Sequence, residues 1–135
     1  MLRGVTLAGA LAIAVTLVSG VADAGHLRRH RIFLPPPELP SQLAVDEAEY
    51  TMRPSQLVVA AGEVTINAYN RGMDDHDVQF TDSQGQVHLV FLHSGDKGVL
   101  KANLTPGTYH FICSLFAGTP QSHEALGMHF DLTVK

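Results

Sequence analysis

Beyond residue 46, short apolar runs alternate with turn residues, and no helical period persists for more than a turn or two. Residues 63–69, Glu-Val-Thr-Ile-Asn-Ala-Tyr, alternate strictly, so Val64, Ile66 and Ala68 share one face of a strand. Residues 49–52 and 56–60 read as extended, with Pro54 between them, and 76–80, 87–92, 98–104, 107–113 and 128–134 complete the set. Turn signals separate them: Ala61-Gly62, Asn70-Arg71-Gly72, 82–85 and Thr105-Pro106-Gly107. Strands at this spacing predict an all-β fold, an antiparallel sandwich or barrel of about a hundred residues.

Parity along the strands predicts which side chains point inward. Tyr109, Phe111 and Cys113 share a face, and the large aromatics mark it as the inner one. Phe130, Leu132 and Val134 share another inner face, which carries Met128 inward at the start of its strand and turns His129 out. His88, opposite in parity to Val87, is expected to face solvent.

The N-terminus has a different texture. Arg3 is followed by an uncharged apolar run over 7–18 and by the small residues Ala22 and Ala24. This pattern predicts a secretory signal peptide, residues 1–24, cleaved after Ala24. The run is short for a membrane span, which takes about 20 residues, so no stable membrane insertion is expected after processing. Residues 25–46, with Arg28, Arg29, Arg31 and the run Pro35-Pro36-Pro37, read as an extended arm. Residues 47–135 read as one domain with one core.

Secretion implies a periplasmic or extracellular setting, where thiols oxidise. Cys113 has no second cysteine to pair with, and a bound metal would protect it. Residues 32–135 hold 5 Lys and Arg against 12 Asp and Glu. That balance argues against nucleic acid and leaves a basic protein partner possible.

The chemistry gathers near the C-terminus. Cys113, His123 and Met128 supply a thiol, an imidazole and a thioether, and His76, in Asp-Asp-His-Asp-Val, offers a second imidazole from a separate strand. Two imidazoles and a thiolate with a distant thioether are the donors copper takes in blue electron-transfer centres. His88, His93, His110 and His129 are expected at the surface or around the site. No nucleophile with its base, phosphate loop or carboxylate pair stands out, and Ser114 reads as a hydrogen-bond neighbour of the cysteine.

These residues carry a resemblance. Asn70-Arg71-Gly72 before His76-Asp77, then residues 104–114, Leu-Thr-Pro-Gly-Thr-Tyr-His-Phe-Ile-Cys-Ser, then 123–128, His-Glu-Ala-Leu-Gly-Met, together resemble the cupredoxins, the plastocyanin and azurin type of small blue-copper protein. Residues 52–62, Met-Arg-Pro-Ser-Gln-Leu-Val-Val-Ala-Ala-Gly, look like that family's first two strands. The resemblance implies a Greek-key β-sandwich with one type 1 copper near one end. It implies His76, Cys113 and His123 as equatorial ligands, with Met128 as the weak axial one.

Two departures stand out. Nine residues separate Cys113 from His123, where the family has two to four. Asp77 follows the first ligand histidine where the family commonly has Asn, and its charge there would favour the cupric state and lower the potential.

The expected function is one-electron transport between redox partners, such as a c-type cytochrome or a membrane oxidase or reductase, by a monomeric carrier. The competing expectation is copper binding or delivery without electron shuttling. An enzyme of the larger cupredoxin type would need a further copper centre, and the chain offers no second organised histidine cluster.

Overall fold

Residues 35–135 are described by the computed structural model. The expected signal peptide and the arm up to residue 34 lie outside them. Nine strands are present among the described residues: β1 (Gln42–Ala48), β2 (Thr51–Pro54), β3 (Val58–Val59), β4 (Gly62–Asn70), β5 (His76–Thr81), β6 (Val87–Leu92), β7 (Lys97–Leu104), β8 (Gly107–Ile112) and β9 (His129–Val134). They form one sheet in the order β2-β1-β4-β7 and a second in the order β3-β9-β8-β5-β6.

The sheets are mixed, a correction to the antiparallel expectation. β1 runs parallel to β4, and β3 runs parallel to β9. Alternation reports which face is buried and is blind to strand direction. Here the chain leaves the first sheet at β3 and returns at β4, and that crossover makes the β1–β4 pair parallel.

The domain also starts earlier than residue 47. β1 takes in residues 42–46 of the segment assigned to the arm, with Leu43 and Val45 buried. The carbonyls of Pro40 and Ser41 already accept from the N–H groups of Ala60 and Thr65. The strand is hard to read in sequence because its third inward position is a carboxylate, Glu47.

Inward residues of the two sheets form one core. Val64, Ile66 and Ala68 of β4 share it with Val78 and Phe80 of β5, Tyr109 and Phe111 of β8, and Phe130, Leu132 and Val134 of β9. Cross-strand partners set a row of stacked rings: His88 on Phe80 (4.7 Å between centroids), Phe80 on Phe111 (4.5 Å) and Phe111 on Phe130 (4.8 Å). Each pair is directly opposite in register, which is where aromatic pairs stabilise a sheet.

That row corrects the reading of His88. Its register with Phe80 turns it toward the stack, where its Nε2 lies 2.9 Å from Asp82 Oδ2. Val87, Leu89 and Phe91 face outward instead and are about half-exposed. Composition favours burying the three apolar residues, and the pairing of β6 with β5 decides otherwise. The remaining parity expectations hold: Tyr109, Phe111, Cys113, Met128, Phe130, Leu132 and Val134 are buried, and His129 is exposed.

Candidate metal centre

Strand direction brings the donors to one rim. His76 opens β5, Cys113 directly follows β8, Met128 directly precedes β9, and β8 pairs with both of those strands. The rim loop before His76 is organised by Asn70. Its side-chain amide donates to the carbonyls of Asp74 (2.7 Å) and Leu92 (3.2 Å), and its Oδ1 accepts from the Gly72 N–H (2.9 Å). Asn70-Arg71-Gly72, legible in sequence as a turn, therefore aims His76 at the sandwich end.

The second imidazole arrives from a loop that closes on itself. The His123 N–H donates to the Leu115 carbonyl (3.1 Å), and Met128 N–H donates to the His123 carbonyl (2.9 Å). Ser122 begins the tight turn between them, with its carbonyl accepting from Leu126 N–H at 3.1 Å.

His76, Cys113 and His123 are all buried, and one donor atom from each lies within 4.8 Å of the others. The two Nδ1 atoms are 3.3 Å apart, and Cys113 Sγ is 3.4 Å from His123 Nδ1. Bonds from a metal ion to nitrogen and sulfur run about 2.0–2.3 Å, so a single ion can reach all three. Met128 is also fully buried, and its carbonyl accepts from the Cys113 N–H (3.0 Å), which holds its backbone against the cysteine. His93, His110 and His129 lie away from this cluster, with His93 on Asp75 and His110 on Asp131.

The electrostatics suit a cation. Burial pushes the Cys113 thiol up to about 11, against the hydrogen bonds to its sulfur and with the help of the Asp77 and Glu47 charges. Burial, then the neighbouring His123, pulls His76 below the ordinary histidine value. Both groups are therefore held neutral: the imidazole keeps its lone pair free for a metal, and the thiol needs a positive ion to ionise, as a coordinated thiol does outright. Two imidazoles and a sulfur are donors of copper type, and they fit it.

Asp77 ties the two halves of the site together. Its backbone N–H points at Cys113 Sγ (3.4 Å), and its carboxylate accepts from Ser114 N–H (2.7 Å) and Oγ–H (2.6 Å). The link spans the loops that carry His76 and Cys113. Ser114 is thus occupied as a donor.

Two contributors escape a reading of the sequence. Glu47 is fully buried at the end of β1, its carboxylate oxygens lack partners, and burial with the Asp77 charge pushes its carboxyl up to about 8. The alternation Leu43, Val45, Glu47 was the available signal. Tyr50 sets its ring edge-on to His123 with centroids 5.8 Å apart. No local pattern marks it.

Outside the donors lies an open groove of about 410 Å³, lined by Asp74, Asp75, Phe91, Leu115, Phe116 and His123. His123 is the one member of the donor cluster on that lining.

No protein-family model matches the sequence, and no curated protein matches it. Solved structures do. Reduced auracyanin from the photosynthetic bacterium Roseiflexus castenholzii aligns over 72% of this chain and 98% of its own, with a TM-score of 0.58 at 15% identity. A reduced point mutant of amicyanin aligns over 70% of this chain and 83% of its own, TM-score 0.51, 20% identity. A chain of a heme-copper terminal oxidase dimer aligns over 70% of this chain and 63% of its own, TM-score 0.51, 20% identity. The chain has the cupredoxin-type β-sandwich fold.

Proposed function

We propose that this cupredoxin-fold chain is a type 1 copper protein that carries single electrons between redox partners in the periplasm or outside the cell. The observation that carries the reading is the buried cluster of His76 Nδ1, Cys113 Sγ and His123 Nδ1. When bound, copper would supply the Cu(I)/Cu(II) couple.

In this reading the chain's own residues do the rest. His76, Cys113 and His123 would hold the ion, and Met128, buried beside them, would serve as a weak fourth ligand. The donors are clamped between a strand start, a strand end and a closed loop, which would let them keep their places in both oxidation states of a bound ion and so limit reorganisation. The Asp77 N–H steadies the thiolate. His123, on the groove wall, gives the electron its exit.

The groove is the proposed contact surface. Phe91, Leu115 and Phe116 supply apolar area, and Asp74 and Asp75 supply negative charge beside it. A partner with lysines around an exposed cofactor edge, such as a c-type cytochrome, suits that combination. A membrane oxidase or reductase with the same chemistry suits it equally.

The test is spectroscopic and kinetic. Adding Cu(II) to the purified chain should give an intense sulfur-to-copper charge-transfer band that disappears in Cys113→Ser. Fast electron exchange with ferrocytochrome c supports a carrier. Slow exchange with ready copper release to an apo-acceptor supports copper delivery instead.

A further inference from the structure

The turn between β1 and β2 offers no donor to the cluster, yet it touches both loops that deliver the imidazoles. Glu49 reaches the loop ahead of His76. Its Oε1 accepts from the N–H groups of Met73 and Asp74, the latter at 3.0 Å. Gly72 is fitted to that contact, since a Cβ there would lie 2.5 Å from the same oxygen.

Tyr50 reaches the other loop. Its ring meets the His123 imidazole at an interplanar angle of 84°. Its carbonyl oxygen sits where Gly127, at φ 121°, allows close approach: a Cβ on Gly127 would be 3.0 Å from it. Tyr50 itself holds φ 57°, left-handed backbone that a bulky residue strongly disfavours.

Among the described residues one other non-glycine shares this conformation. Phe116, also at φ 57°, lays its ring against the same imidazole with centroids 5.4 Å apart. Both unfavourable backbones thus aim an aromatic ring at His123. Such strain persists only where the surroundings over-determine it, and it gathers at functional sites.

We propose that the turn at Glu49 and Tyr50 is a positioning brace for the metal centre: Glu49 sets the loop that carries His76, and Tyr50, with Phe116, fixes the plane of the His123 ring. The proposal rests on the copper reading. An imidazole held in one plane presents its Nδ1 lone pair in one direction, with or without metal. The brace therefore predicts slow copper release, and imidazoles already ordered in the metal-free chain.

Tyr50→Asn tests it, because Asn tolerates the left-handed backbone and lacks the ring. Copper release to EDTA should quicken about 10- to 100-fold, the range seen when groups that orient metal ligands are lost. The copper hyperfine splitting in the spin-resonance spectrum should change. In the metal-free protein the His123 imidazole NMR signals should broaden or double. Tyr50→Phe should restore all three readouts. Glu49→Ala, at an exposed position, should disturb the His76 signals, and it decides the matter alone if Tyr50→Asn does not fold.

Release within about twofold of the unsubstituted chain, far short of that range, with unshifted imidazole signals, overturns the brace. So does a Tyr50→Phe protein as impaired as Tyr50→Asn. Absence of the charge-transfer band from the unsubstituted chain ends the copper reading. The metal-free imidazole signals then still decide the brace.

Discussion

The His123 N–H donates to the Leu115 carbonyl across 3.1 Å, so the segment 116–122 leaves the fold and returns to it at one point. This hydrogen bond reconciles the long spacing from Cys113 with a compact donor cluster. Measured along the chain, His123 is ten residues from the cysteine, yet its Nδ1 lies 3.4 Å from Sγ. The extra residues are an excursion built on turns closed by Ser114–Ala117, Phe116–Thr119 and Thr119–Ser122 hydrogen bonds, and its middle is exposed.

Trimming that excursion should therefore spare the centre. Replacing 117–121 with two glycines leaves Phe116, Ser122 and the Leu115–His123 pinch in place. Loop-closure entropy changes by under about 1 kcal/mol for such a shortening. Copper should still bind with its charge-transfer band intact, read by visible titration. Loss of the band would mean that the excursion itself shapes the site.

Glu47 should make the metal-free fold weaken as pH rises. Its carboxyl is pushed up to about 8 from the ordinary 4.5. Between those values the unfolded chain releases the proton and the folded chain keeps it, so stability falls with pH across that window and levels off above it. The loss is on the order of 3–5 kcal/mol. Glu47→Gln, neutral throughout, should match the unsubstituted chain near the acid end and exceed it at the alkaline end in urea unfolding. Parallel stability curves for the two proteins would contradict this.

Asp77→Asn should raise the reduction potential. The carboxylate lies beside the site, hydrogen-bonded to Ser114 next to Cys113, where its charge would favour the cupric state of a bound copper. Removing that charge shifts the one-electron equilibrium by roughly tenfold, on the order of 60 mV. Asn keeps an acceptor for the Ser114 N–H, so the loops stay tied. Protein-film voltammetry reads the shift, and an unchanged potential would remove Asp77 from the account.

His110 bridges Asp131 on β9 (2.7 Å) and Glu124 beside His123 (3.2 Å). The hydrogen bond to Asp131 holds its pKa above the ordinary histidine value against the opposing effect of burial, and the hydrogen bond to Glu124 adds to the rise. Raised histidines stabilise the fold below the unfolded pKa, and the contribution fades as pH rises through the folded one. The ring and both its carboxylate partners are solvent-exposed, so the gain is under about 1 kcal/mol. His110→Asn should lower the melting temperature at pH about 5.5 and hardly at pH about 9, on either side of the ordinary histidine range. Equal losses at both would show that packing, and no charge, is at stake.

How much of this was legible in the sequence follows from what each signal reports. Val64, Ile66 and Ala68, or Tyr109, Phe111 and Cys113, declare their face by alternation alone, because burial acts residue by residue along a strand. His88 did not, because its face depends on which residue of β5 stands opposite. β1 escaped for a related reason: Glu47 sits at an inward position where the pattern calls for an apolar side chain. The cluster of His76, Cys113 and His123 follows from residue chemistry and a family resemblance, with the long loop as the open question. Glu49 and Tyr50 carry no such mark. Their contacts to Met73, Asp74 and His123 join segments far apart in the chain, and no spacing rule announces them.

The most direct measurement is a crystal structure of the protein grown with Cu(II), with anomalous scattering recorded at the copper edge. The account predicts one strong anomalous peak within bonding distance of His76 Nδ1, Cys113 Sγ and His123 Nδ1. A peak elsewhere, or a Cys113 sulfur beyond bonding distance of the ion, would contradict it.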